Sequence, residues 1–238
     1  MKKLVCALLV LCMMFVSTAL AEDGKILFRD VQWQSTPLEF VSSLGEEGTY
    51  FDDINAWTAE SDFVEVNSLY SITPKWTVND VPVYTLERFD GEKKSVCVVA
   101  GYAIERVKAY FIPIYHKGTL DTNDMDNAQL YKVEYLIKNF SKNSEYLTVD
   151  LAYDDLLERL TELYGEGIDA SGEVYERACH WMGSDGTSVS LCRGSSAYVL
   201  GVSIPATLAI EYQYAVDKDY IVGLVDAYNE VMNVDGGL

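Results

Sequence analysis

A chain of 238 residues, 49% hydrophobic and 23% charged, carries enough apolar material for one large domain or two small ones. Its 37 acidic residues outnumber 18 basic ones, for a formal net charge of −19. That sign argues against holding nucleic acid, heparin-like polymers or anionic membranes through general electrostatics, and favours solubility, a basic partner or a divalent cation.

Lys2 and Lys3 precede an apolar run from Leu4 to Val16, and small residues follow at Ala19 and Ala21. This is the pattern of a secretory signal peptide cut after Ala21, so residues 1–21 are set aside. The run is short for a membrane anchor, and Cys12 lies inside it behind Leu-Val-Leu, which does not suit lipid attachment. The expected product is secreted or periplasmic (cell envelope), with no membrane insertion after signal removal.

Residues 25–33 read as a short strand or extended lead-in. Thr36, Pro37 and Glu39 then form a capping box with proline at the first helical position, predicting a helix to about Leu44. Its core side is expected to carry Leu38 and Val41, with Phe40 as a further candidate. Residues 46–80 are acidic and aromatic without a sustained period, and Trp57, Phe63 and Trp76 there need burial. From Val81 the pattern is β, with a hairpin signal at Asp90-Gly91 and a bulge or bend at Gly101 in the long run to Tyr115. A polar acidic loop spans 116–128. Tyr131, Val133, Tyr135 and Ile137 then alternate with Lys132, Glu134, Leu136 and Lys138, a half-buried strand with one charged face. Asp150 reads as the cap of a helix carrying Tyr153, Leu156, Leu157, Leu160, Leu163 and Tyr164 and ending at Gly165. A last strand covers 207–214, and Asp217 caps a terminal helix through Ile221, Leu224, Val225, Tyr228 and Val231.

Between those last two helices, EVYERACHWMGSDGTSVSLCR (173–193) reads as a β-hairpin. With Asp185-Gly186 as a two-residue turn, Ser184 faces Thr187 and Cys179 faces Cys192 in a non-hydrogen-bonded pair. In an oxidising compartment this predicts a Cys179–Cys192 disulfide and leaves Cys97 as a buried thiol. The element order predicts an α+β protein: a mainly antiparallel sheet with helices packed on one face. One domain, 22–238, is expected, with candidate halves 22–149 and 150–238.

The stretches ILFRDVQWQSTPLEFVSSLG (26–45) and LLERLTELYGEG (156–167) resemble small exported bacterial modules of the β-lactamase-inhibitor-protein-like and BamE-like kind. Val41 and Gly45 fit that pattern, while Gln34-Ser35-Thr36 stands at the helix start without the usual glycine. The resemblance covers about a fifth of the chain. It implies protein–protein binding through an open sheet face, and it carries over no catalytic residue.

No nucleophile elbow, phosphate-cradling loop or histidine metal motif is present. His116 opens a polar loop, and His180 is expected to pack beside Met182, Val189 and Leu191. Asp121, Asn123, Asp124 and Asp126 form an acidic loop that could hold Ca2+ weakly, though without an EF-hand's central glycine and distal glutamate. Adjacent acids such as Glu46-Glu47, Asp52-Asp53 and Asp154-Asp155 point in different directions and make no acid/base pair by proximity alone. Seventeen tyrosines and four tryptophans either fill the core or decorate an open sheet face. The first reading is therefore a non-catalytic binding module for a protein or glycan partner. The alternative is an extracytoplasmic carbohydrate hydrolase using paired carboxylates, set at a fixed separation in a pocket.

Overall fold

The structure, a computed structural model, describes residues 25–29, 31–44, 57–68, 74–89, 98–120, 125–138, 140–142, 145–172, 175–199 and 202–235. Helix α1 (Pro37–Leu44) precedes strands β1 (Thr58–Asn67), β2 (Thr77–Phe89), β3 (Arg106–Ile112) and β4 (Gln129–Ile137). Helix α2 (Val149–Tyr164) precedes β5 (Ile168–Asp169), β6 (Arg177–Met182), β7 (Thr187–Gly194) and β8 (Thr207–Tyr214), and α3 (Lys218–Asp235) follows. The strands form one antiparallel sheet in the order β1-β2-β3-β4-β8-β7-β6-β5. Each half of the chain thus contributes a helix followed by four neighbouring strands, and the last strand of each half meets the other at the centre. The protein is α+β, as the element order predicts.

Two helices cover one face. Phe40, Val41 and Leu44 of α1, with Ala152, Tyr153, Leu156 and Leu160 of α2, bury against Leu86, Val107, Val133, Tyr135, Ile210, Leu191 and Trp181. The capping box closes as expected: the Thr36 N–H donates to Glu39 Oε2 at 2.9 Å, and the Glu39 N–H to Thr36 Oγ1 at 3.3 Å. Leu38, however, is exposed, because Phe40, Val41 and Leu44 supply the buried stripe of so short a helix. The cap of α2 is Thr148, whose side chain accepts from the Leu151 N–H, and not Asp150, which sits inside the first turn. The extended lead-in is strapped over the same face by Ile26 N–H to Thr187 Oγ1 (2.8 Å) and Gln34 N–H to the Leu130 carbonyl (3.0 Å).

The third helix lies on the other face. Ile221, Leu224 and Ala227 pack with Val81, Val83 and Ile112, and successive strand side chains alternate, so Val83 lies opposite Tyr84. Asp217 caps this helix through the Asp219 and Tyr220 N–H groups. Tyr131 belongs to this second core and not to the face of Val133, because β4 bulges: Tyr110 pairs with Lys132, Phe111 with Leu130, and Tyr131 is the extra residue. Gly101 is half of a two-residue turn with Ala100, both at positive φ (91° and 53°), joining Val98–Val99 to Tyr102–Ala103. Part of the expected 116–128 loop is a small hairpin, Tyr115–His116 with Thr119–Leu120. Asp90-Gly91 and Cys97 lie outside the described residues.

The β6–β7 hairpin forms, one residue out of the predicted register. Ser184, Asp185 and Gly186 make a three-residue loop, with Gly186 at φ 84° and the Gly183 N–H donating to the Thr187 carbonyl at 2.7 Å. Asp185 Oδ1 accepts from the Thr187 N–H, which fixes the aspartate inside this wider turn. A slip of one residue sends every side chain to the other face. Cys179 is therefore opposite Leu191, Cys192 is opposite Ala178, and the two thiols lie on opposite faces, free and buried. The expected Cys179–Cys192 disulfide is corrected accordingly. His180 moves too: its Nδ1 is 2.7 Å from Ser190 Oγ, away from Val189 and Leu191.

Candidate functional site

Among the described residues, helix α3 packs on the second face over β2, β3 and β1 from Phe63 to Val66. Beside it, among the described residues, is a groove of about 610 Å³, bounded by Val64, Glu65, Asn67 and Ser68 on one side and Ala170, Ser171, Gly172 and Tyr175 on the other. Its floor carries Tyr110, Tyr131, Lys132, Ser190, Cys192, Glu211 and Gln213, and Tyr175 and His180 stand toward one wall.

Charges of alternating sign cross the strands of this face. Lys108 lies 3.4 Å from Asp62 and 3.9 Å from Glu87; Arg106 reaches Glu87 (3.6 Å) and Glu134 (2.8 Å). Lys132 holds Glu211 at 2.8 Å and Glu134 at 3.9 Å. Glu134 and Glu211 are direct cross-strand partners, an arrangement that repels unless a cation sits between them. Desolvation pushes the Lys132 ammonium down, but the Glu211 and Glu134 carboxylates outweigh it and hold the group above the usual lysine range. Four carboxylates (Asp62, Glu87, Glu134, Glu211) thus meet three cations (Arg106, Lys108, Lys132) in a compensated lattice.

Aromatic rings rest on that lattice. Lys108 and Lys132 flank the Tyr110 ring, with ammonium-to-centroid distances of 5.2 and 5.3 Å, and Tyr131 meets the same ring edge-on. Burial, with Glu134 nearby, pushes the Tyr110 hydroxyl up to about 12. The Glu211 carboxylate raises Tyr175, whose hydroxyl donates to it at 3.4 Å. Burial, then Glu211, holds the Cys192 thiol well above its ordinary range, so it stays protonated and a poor nucleophile at neutral pH. The groove presents tyrosine surface with hydrogen-bonding tips among carboxylates that already have partners.

No family model, curated protein or solved structure matches this chain. Its site is therefore read from its own geometry.

Of the residues singled out in the sequence, Cys192 lies in the groove floor, while Cys179 faces the first core. Asp126 is exposed in a 3-10 turn, Met125–Asn127; Asp121, Asn123 and Asp124 lie outside the described residues. Among the described residues no group of three or more His, Cys, Asp or Glu side chains is placed to hold a metal ion. Asp154 and Asp155 serve packing: Asp154 accepts from Arg177 at 2.7 Å, and Asp155 accepts from the Tyr102 hydroxyl at 2.9 Å. His116 is exposed, as expected. In the sequence Lys132 and Glu134 read as the charged face of one strand, while Glu211 falls in another, 207–214. Their alternation was visible, but that two strands distant in the chain set these charges side by side is a matter of sheet order.

Proposed function

We propose that the protein is a non-catalytic binding module, exported after cleavage behind Ala21, which engages a protein or glycan partner through the tyrosine-lined groove. The observation that carries this reading is a stretch of sheet face, open among the described residues, where Tyr110 and Tyr175 stand beside a lattice in which Asp62, Glu87, Glu134 and Glu211 each have a cation partner. Tyrosines in such a setting offer contact area at low entropic cost, and the rows of opposite charge supply register. The resemblance to exported helix-plus-strands modules agrees with it.

A photo-crosslinking residue at Gln213, in the groove, is expected to capture a discrete species from the native extracytoplasmic fraction, whereas one at exposed Leu38 on the far side is not. Capture from Leu38 alone would discard the groove as the contact surface. Periodate treatment of the captured species separates a glycan contact from a protein one.

A carbohydrate hydrolase is the second reading, favoured by one feature, the cross-strand pair Glu134 and Glu211. Turnover of chromogenic glycosides that falls by about 10²-fold or more in Glu211→Gln would establish it. As a separate property, we infer a weak Ca2+ site at Asp121, Asn123, Asp124 and Asp126, which requires a melting temperature that rises with added Ca2+.

A further inference from the structure

The main sheet ends very differently on its two sides. One edge is β5, two residues long; the other is β1, ten residues long and paired, among the described residues, only with β2. A long edge strand presents a row of backbone donors and acceptors, which proteins ordinarily blunt with prolines, bulges or basic side chains. The sequence TAESDFVEVN contains no proline, glycine or basic residue.

The direction of the outward groups follows from one hydrogen bond. The Phe63 N–H donates to its neighbour's Asp62 Oδ1 at 2.8 Å, so it lies outside the β1–β2 ladder. Its cross-strand partner is Pro82, which has no N–H to give. By the two-residue repeat, Ala59 and Ser61 also point their N–H groups outward. Beside this row, Phe63 is 51% exposed, and its ring meets Tyr228 of α3 edge-on at 5.3 Å.

We propose that the outer edge of β1 is a second docking site, which takes up an extended, lysine- or arginine-bearing segment of a partner protein by strand addition. Charge selects the occupant. Glu60, Asp62 and Glu65 give the strand three acids and no base, within a chain of net charge −19. A second copy pairing antiparallel here would set acids against acids, which is unfavourable, whereas basic side chains would meet them with opposite charge. Phe63 and Tyr228 offer the apolar contact for alternate side chains of the incoming strand. The outward backbone row at Ala59 and Ser61 is distinct from the groove, whose wall takes in Val64, Glu65, Asn67 and Ser68 farther along the same chain segment.

The probe is an N-acetylated ten-residue peptide of alternating lysine and valine, followed by fluorescence anisotropy and by amide hydrogen exchange of the full chain. Binding is expected to slow exchange at Ala59 and Ser61. Ser61→Pro removes one outward donor and leaves the ladder to β2 intact; it is expected to weaken binding about tenfold or more. The double variant Glu60→Lys/Glu65→Lys, which does not depend on tolerance of proline, is expected to do the same. A peptide of equal charge interrupted by two prolines should bind at least about tenfold more weakly. Equal affinity for both peptides, or no protection in residues 58–67, overturns the proposal. So does a dimer of the unmodified chain that Ser61→Pro dissolves, since the edge would then belong to a second copy.

Discussion

Lys132 is the side chain on which the open face depends. With Glu134 and Glu211 directly opposed, its ammonium lies 2.8 Å from Glu211 and 3.9 Å from Glu134 and, together with Arg106 at 2.8 Å from Glu134, offsets their repulsion. Lys132→Met is expected to cost about 2 kcal/mol, less than a fully dry pair because the groove admits solvent. Adding Glu211→Leu should restore most of it, since an apolar pair replaces a lone charge; the urea midpoints of the two variants measure this. Gly167 is a second such position. A methyl group there would fall on Cys179 Sγ and within 2.7 Å of Trp181 Cε2. Both neighbours are buried, and Trp181 is held by its indole N–H donating to the Gly165 carbonyl at 2.9 Å. Gly167→Ala is therefore expected to destabilise by about 1–3 kcal/mol, read as a lower melting temperature.

Elements here are set by their ends. The long helix α2 starts where Thr148 accepts the Leu151 N–H and stops at Gly165, whose φ of 83° suits a residue without a β-carbon. Thr148→Ala should cost about 1 kcal/mol of stability in denaturant unfolding. Asp150→Ala should act through Arg193 and Arg177, at 2.9 and 3.8 Å, and not through the cap. The β6–β7 hairpin makes the same point about turns. Asp185-Gly186 signals a turn correctly, but the dipeptide occupies the last two places of a three-residue loop, and that single extra residue separates Cys179 from Cys192.

Across the whole molecule the notable titrations are those of tyrosine. Burial, the leading cause in each, pushes Tyr110 and Tyr153 up to about 12 from an ordinary value of 10.0, and raises Tyr131 and Tyr212 further. These groups keep their protons in the fold after the unfolded chain has begun to lose them. The stability they contribute is complete below pH 10 and drains away as pH rises toward 12. Urea midpoints should therefore fall between about pH 9.5 and 11.5, with tyrosinate absorbance appearing late and then abruptly on unfolding. A gradual titration near pH 10 with an unchanged midpoint would mean that these hydroxyls are solvated.

How far the chain could be read in advance follows from the range of each interaction. Caps at Thr36 and Asp217, the stop at Gly165, and the alternation through 207–214 act within a few residues, so the amino-acid sequence by itself determined those elements, the α+β class and the acidic charge. The cap of α2 was missed by two residues because Thr148 and Asp150 are both competent, and geometry selected Thr148. Hairpin register, the bulge that turns Tyr131 to the other face, the placement of α3 opposite α1 and α2, and the stacking of Arg106, Lys132, Glu134 and Glu211 were decided by tertiary structure alone. Each depends on pairing between residues distant along the chain, where a shift of one position reverses every side chain, and no local pattern carries that information.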